Sequence, residues 1–233
     1  MEIIGVIVYF IAFVAYQFAF GPETEWAHWL TLVLLPFLGL YLLHRRSAVE
    51  HPFKRTLASV GLRRGHLTDG LAWVVPFGLL LSTATLWFSR SGARFLEMLE
   101  TTQILWALPL AFVFLLATAA FTEEFFFRGI VQGRLENWLG TKSGLSGWRA
   151  KMLAVVGATV VFATYHVPYA YLSPHWPSHG DLGEAIRLAS IDGTLGGLVL
   201  GLVFVGARGN LVAVILVHAL IDLLPAVTMI RFG

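Results

Sequence analysis

The sequence contains no cysteine and few charged residues, and each shortage excludes a class of site or protein. Without cysteine among its 233 residues, the chain can form neither disulfides nor thiolate metal sites, and it has no cysteine nucleophile. Charged residues make up 13% of the chain, against roughly 25% in soluble domains. Hydrophobic residues make up 57%. Most side chains therefore face lipid rather than water.

The hydrophobic residues fall in long runs without the period-two alternation of a membrane β-barrel. A backbone that crosses lipid must satisfy its own polar groups, so these runs predict helices. A spanning helix needs roughly 20 mostly apolar residues. Seven segments fit: 3–20, 26–43, 70–88, 104–127, 150–168, 185–206 and 210–230. The sequence predicts an all-α polytopic membrane protein, a single bundle of about seven transmembrane helices forming one domain over residues 1–233.

Lysine and arginine are concentrated in three of the connections between the predicted spans. The basic residues in these connections are Arg45, Arg46, Lys54, Arg55, Arg63, Arg64, Arg128, Arg134, Lys142, Arg149, Lys151 and Arg208. Because basic loops stay in the cytoplasm, we expect a cytoplasmic amino terminus and a carboxyl terminus outside. The basic residues flank apolar spans and form no single stripe, so no nucleic-acid partner is expected.

Several ionisable side chains lie inside predicted spans, where each costs about 3 kcal/mol and usually marks function. They are Glu123 and Glu124 in the fourth span, His166 in the fifth, Asp192 in the sixth, and His218 and Asp222 in the seventh. Apart from Asp192 near the start of the sixth, three late spans thus each bring such a group to the bundle interior. A lone histidine in a helix is usually a packing residue, but this combination predicts a polar site inside the bundle.

The two adjacent glutamates point about 100° apart on a helix, so we expect them not to share a partner. Glu124 can pair with Arg128 at i, i+4. Glu123 has Phe127 at i+4 and therefore no local cation, which suits a general base. Alternatively, both glutamates belong to a hydrated charge cluster at the membrane surface.

Three motifs follow one another in the second half of the chain: Glu123-Glu124-x-x-x-Arg128, Phe162-x-x-x-His166 and His218-x-x-x-Asp222. In type and order they resemble the motifs of the CAAX prenyl protease and bacteriocin-processing family, also called the abortive-infection family. The resemblance covers a motif-bearing core, residues 104–226. It implies an intramembrane endopeptidase that hydrolyses a peptide bond in a membrane-associated or lipidated peptide or protein.

Carried over by position, the resemblance implies that Glu123 is the general base and that His166 helps to activate the water. His218 and Asp222 would lie where the oxyanion forms, with Glu124, Arg128 and Phe162 in support. The eukaryotic-type prenyl proteases have asparagine at the last motif position, and asparagine can donate a hydrogen bond. Asp222 donates only when protonated, so we expect it to fix the tautomer of His218, whose other nitrogen would donate.

Other functions are open at this point. The resemblance implies no cofactor, but Glu123, His166 and His218 could instead hold a zinc ion with an open position for water. A proton-coupled transporter also uses intramembrane Glu, His and Asp, although the inverted repeats that would support it are missing. The third alternative is a non-catalytic membrane scaffold. The short chain and compact loops indicate the inner membrane of a prokaryotic cell.

The depth of Glu123 and His166 in the membrane constrains the length of the fourth helix. If it ended near Arg128, Glu123 and His166 would lie in opposite leaflets, because a helix rises 1.5 Å per residue. We therefore expect this helix to continue beyond the membrane to about Leu139.

The remaining polar and small residues have simpler interpretations. Gly193, Gly197 and Gly201 are spaced by four and predict close helix packing inside the bundle, with a dimer interface as the alternative. Asp192 is interpreted as the cap of the sixth helix, with cavity lining as the alternative. The histidines outside the motifs are interpreted as interfacial or loop residues: His28, His44, His51, His66, His175 and His179.

Overall fold

The structure is a computed structural model that describes residues 2–21, 25–47, 50–62, 67–88, 92–145, 147–173 and 177–230. Within these ranges the regular structure is helical, and no strand occurs. The elements are α1 (Glu2–Phe20), α2 (Glu25–His28), a π-helix π1 (Trp29–Leu34), α3 (Leu35–Arg46), α4 (Pro52–Ser59), α5 (Leu67–Phe88), α6 (Gly92–Leu99), α7 (Gln103–Ala117), α8 (Ala119–Glu124), a π-helix π2 (Phe125–Gln132), α9 (Gly133–Lys142), α10 (Trp148–Leu172), α11 (Leu182–Gly206) and α12 (Leu211–Met229).

Five described segments are long and apolar enough to cross a membrane: Ile3–Phe20, Gln103–Lys142, Trp148–Leu172, Leu182–Gly206 and Leu211–Thr228. The other two predicted spans are helical as well. Residues 26–43 fall in α2, π1 and α3, and residues 70–88 fall in α5. The prediction of an all-α polytopic membrane protein is confirmed, while the count of seven spans stays a prediction.

Large apolar side chains cover the outside of the bundle. Leu105, Trp106, Val160 and Leu195 are each at least 60% exposed. A soluble protein of this size rarely exposes such continuous apolar surface. In a bilayer these side chains contact lipid tails, so the exposed surface fits a multi-pass integral membrane protein.

The fourth predicted span continues as one rod from Gln103 to Lys142, which confirms the expected extension past Arg128 to about Leu139. The rod has one break at Thr118, whose backbone angles (φ −121°, ψ −112°) are not helical. The indole Nε1 of Trp29 donates a hydrogen bond to the Ala117 carbonyl at 2.6 Å. Because an unsatisfied carbonyl is costly in a membrane, this bond stabilises the break and ties π1 to the rod.

Helices α10 and α11 pack closely along the glycine stripe of α11. A Cβ atom on Gly193 would lie 2.6 Å from the Ala163 Cα, one on Gly197 would lie 2.9 Å from the Thr159 Cγ2, and one on Gly201 would lie 2.9 Å from the Val155 Cγ1. Four residues further towards the carboxyl end of α11, the neighbouring residue therefore lies four residues nearer the amino end of α10. The prediction that this stripe packs within the bundle is confirmed.

Enlarging one of these glycines is expected to destabilise the fold. In the Gly193→Ala variant the new methyl group would overlap the backbone of α10, so the two helices must separate. Overpacking of this kind costs about 1–3 kcal/mol. We expect a lower midpoint of thermal unfolding in detergent.

Gly196→Ala is the matched control, because its Cβ would lie 3.9 Å from its nearest neighbour, the Phe162 ring. Its midpoint should equal that of the wild type or exceed it. Equal midpoints for the Gly193 and Gly196 variants would contradict the close packing of α10 and α11.

Several peripheral interpretations change in the structure. Asp192 lies ten residues inside α11, so its interpretation as a cap is wrong. The cap is Asp181, whose Oδ1 accepts a hydrogen bond from the Glu184 backbone N–H at 2.8 Å.

The histidines outside the motifs have different surroundings. His44 bonds to the Thr56 hydroxyl at 2.8 Å between α3 and α4. His179 lies in an exposed turn, as predicted. His66 and His175 lie outside the described residues.

Candidate active site

A buried polar ladder runs along the fourth rod. Glu124, Arg128 and Gln132 follow one another at intervals of four and are at most 1% exposed. The Arg128 Nε lies 3.2 Å from the Glu124 Oε2, which confirms the predicted pair. Arg128 also donates through Nη2 to the Gly197 carbonyl at 3.4 Å, and Gln132 donates through Nε2 to the Gly201 carbonyl at 3.2 Å.

The glycine stripe thus has a second role, because its bare backbone leaves these carbonyls accessible to side chains of the rod. Two hydrogen bonds to these carbonyls join the rod to α11. The ladder therefore fixes the rod against α11 in one register. The π-helix π2 begins directly after Glu124, and such segments often occur at functional sites.

Aromatic rings hold the second motif against the rod. The Phe162 ring lies 4.6 Å from the Arg128 guanidinium carbon and 5.0 Å from the Phe127 ring centroid. One turn later, the His166 Nδ1 bonds to the Phe162 carbonyl at 2.8 Å. Since a carbonyl only accepts, Nδ1 carries the hydrogen, and in the neutral ring Nε2 is then the acceptor. Phe162 therefore orients both Arg128 and His166.

His218 lies at the centre of the cluster, with a carboxyl group near each ring nitrogen. Its Nδ1 bonds to the Glu124 Oε1 at 2.8 Å. Its Nε2 lies 3.2 Å from the Asp222 Oδ2 and 4.0 Å from the Glu123 Oε2. Both glutamates thus approach one imidazole, and the expectation that they share no partner is wrong. The two ring nitrogens face different directions, so side chains that diverge on the rod can still reach one ring.

The contacts of His218 also change the expected role of Asp222. Glu124, rather than Asp222, makes the short hydrogen bond that orients the imidazole. The side chain of Glu124 is fully buried, whereas that of Asp222 is 40% exposed. Asp222 therefore forms the accessible edge of the cluster, beside the Nε2 of His218.

The structure brings the three motifs together around Glu123. This side chain is 10% exposed, and its carboxyl group interacts electrostatically with His166, His218 and Asp222. Such a cluster holds an acid–base group, two imidazoles and a second carboxyl in a largely apolar surrounding. It can position and polarise a water molecule.

The site contains a histidine that the sequence interpretation missed. His28 is only 9% exposed, and its Nε2 lies 3.3 Å from the Tyr165 hydroxyl. It also interacts electrostatically with Glu123. This burial inside the bundle was not expected from its position beside an apolar run. No signal in the sequence separated it from the other histidines that flank apolar runs.

The zinc alternative requires three ligands arranged around one point. In the part of the chain that the structure describes, no three His, Asp or Glu side chains are arranged to hold a metal ion. Glu123 and His218 are 4.0 Å apart, but together with His166 they do not form a ready-made ligand set. The hydrogen bond of His166 Nδ1 to Phe162 leaves only its other nitrogen for such a role.

Fold and site together define a polytopic α-helical membrane protein with a buried glutamate–histidine cluster, the class to which intramembrane hydrolases belong. Residues 105–224 match the family model described as type II CAAX prenyl endopeptidase Rce1-like. This match spans more than half of the chain, and the protein belongs to this family of CAAX-type proteases. No curated protein and no solved structure matches the chain. The resemblance noted from the three motifs is thereby confirmed.

Proposed function

We propose that the protein is a glutamate-type endopeptidase that hydrolyses a peptide bond in a lipidated or otherwise membrane-associated peptide or protein. The family supplies the reaction class. The observation that supports the mechanism is the 4.0 Å distance between the Glu123 Oε2 and the His218 Nε2, because a general base and an oxyanion donor must both lie close to the same scissile carbonyl. Partners are then the lipid bilayer and the peptide substrate.

In this mechanism Glu123 removes a proton from a water molecule, and the Nε2 of His166 accepts a hydrogen bond from the same water. The hydroxide attacks the scissile carbonyl carbon to give a tetrahedral intermediate. Glu123 then passes the proton to the departing amide nitrogen, and the carbon–nitrogen bond breaks. The products are a carboxylic acid and an amine, with Glu123 returned to its starting state.

His218 supplies the oxyanion contact. With a carboxyl group near each ring nitrogen, the imidazolium form can donate in both directions, because each nitrogen then carries a hydrogen. Glu124 holds the ring through Nδ1, and the Nε2 hydrogen, which faces the Asp222 Oδ2 at 3.2 Å before the reaction, is shared with the developing oxyanion. Pre-placed donors in a dry site are worth roughly 3–4 kcal/mol. Asp222 borders this position, and its side chain is 40% exposed.

The proposal is tested by cleavage in liposomes. A peptide with a prenylated cysteine followed by three residues is compared with the same peptide without the prenyl group, and the released tripeptide is measured by mass spectrometry. We expect faster cleavage of the prenylated peptide and no loss of rate with a chelator.

Loss of cleavage with the chelator and its recovery with zinc would favour the metal mechanism instead. A protein that cleaves neither peptide but carries protons across the liposome membrane would favour the transporter. These outcomes separate the three functions with one preparation.

The basic connections support a cytoplasmic amino terminus, and the short chain with its compact loops supports a prokaryotic inner membrane.

A further inference from the structure

The short helix α2 and the π-helix π1 pack against α8, which carries both glutamates. The Trp29 ring stacks on the Phe121 ring, with centroids 4.9 Å apart and an angle of 15° between the planes. The same indole binds the Ala117 carbonyl. Phe121 precedes Glu123 by two residues, so these contacts fix His28 beside the helix that holds the proposed base.

His28 contacts the second motif through Tyr165. The Tyr165 hydroxyl lies 3.3 Å from the His28 Nε2, and the tyrosine ring is 4.9 Å from the His166 ring. Tyr165 is itself 4% exposed and stacks on Phe13 at 5.9 Å. The tyrosine is therefore held firmly, and it links His28 to the histidine that receives the water.

The first half of the chain thus contributes a polar group to a site that otherwise comes from the three motifs. Among the groups that interact with the Glu123 carboxyl are three imidazoles, those of His166, His218 and His28. His218 contacts Glu124 and Asp222, and His166 binds the Phe162 carbonyl. His28 is the one of the three that lies outside the family match.

We propose that His28 is a positioning residue of the active site whose imidazole, oriented by the Tyr165 hydroxyl, stabilises the Glu123 carboxylate during water activation. This inference rests on the proposed function of Glu123. It also explains the contacts of α2 and π1 with the rod, because these contacts hold His28 in a fixed position from which it can act on the carboxylate.

The test compares four variants by kcat and KM on the prenylated peptide. His28→Leu should lower kcat by on the order of tenfold or more with little change in KM. His28→Gln should recover most of this loss, because its amide group can occupy the position of Nε2 and keep the hydrogen bond with the Tyr165 hydroxyl. Tyr165→Phe removes one hydroxyl and should also lower kcat. The double variant His28→Leu/Tyr165→Phe should be no slower than His28→Leu, since coupled residues are not additive.

The control is His44→Leu, which removes a histidine with a similar hydrogen bond, to Thr56, on the neighbouring helix α3. Its kcat should equal that of the wild type. The inference is overturned if His28→Leu keeps the wild-type kcat, if His28→Gln is no faster than His28→Leu, or if the two losses multiply in the double variant.

If His28→Leu does not fold, Tyr165→Phe decides, and an unchanged kcat there overturns the inference. A wild-type kcat for His28→Leu beside an inactive Glu123→Gln would remove His28 from the site and leave the proposed function intact. A wild type that cleaves nothing would instead overturn the function itself.

Discussion

Replacing Glu123 by glutamine is expected to lower kcat for peptide cleavage by about 10²–10⁴-fold, the usual contribution of a general base. Glutamine has nearly the same shape, so the packing around residue 123 is kept. The amide cannot accept the proton of the attacking water, so the loss should fall on kcat rather than on KM. Initial rates in liposomes over a range of peptide concentrations separate the two constants.

Glu136→Gln is the matched control for this experiment. It lies on the same rod in α9 and makes the same chemical change about three and a half turns away. Its kcat should equal that of the wild type, and both variants should keep the wild-type midpoint of thermal unfolding. A wild-type kcat for the Glu123→Gln variant would contradict the proposed role of Glu123 as the general base.

Replacing Glu124 by glutamine is expected to destabilise the protein by about 3–5 kcal/mol, because removal of one partner leaves the buried charge of Arg128 uncompensated. The same change removes the carboxylate that orients His218, so kcat should fall as well. The free energy of unfolding, measured by titration with SDS, and the rate of cleavage report the two effects.

Asp222→Asn is the control for the Glu124 variant, because it makes the same chemical change at the other carboxyl group beside the His218 ring. The substitution removes the negative charge of Asp222. This side chain is 40% exposed, however, and the hydrogen bond from Glu124 still orients the His218 ring. We therefore expect unchanged stability and a kcat within about tenfold of the wild type, the range of a modest loss in hydrogen bonding. An inactive Asp222→Asn variant would show that this carboxylate has a role that an amide cannot fill.

Composition and hydrophobic run length were enough to predict the fold class, because a chain this apolar has few alternatives in a membrane. The depths of Glu123 and His166 predicted a helix that continues past Arg128 to about Leu139, and the rod does continue, ending at Lys142. The break at Thr118 and the π-helices π1 and π2 could not be predicted. They depend on contacts between distant residues, such as the bond from Trp29 to Ala117.

The motif spacing predicted which side chains meet, but not which atoms they use. The Glu124–Arg128 pair follows from helical spacing alone. That Glu124 would also bind His218 depends on how α12 is placed against the rod, and spacing along one helix contains no such information. His28 was missed for the same reason, because its burial comes from Tyr165 and α8 rather than from its neighbours in sequence.

The contacts of Arg128 and Gln132 with the carbonyls of Gly197 and Gly201 constrain how this protein can change in length. A single inserted or deleted residue between Gly193 and Gly201 would rotate the following backbone by about 100° and carry the carbonyls out of reach. Point substitutions elsewhere on α11 leave them in place. Length changes in this family should therefore accumulate in the connections, and the spacing within the two helices should stay fixed even where residue identities drift.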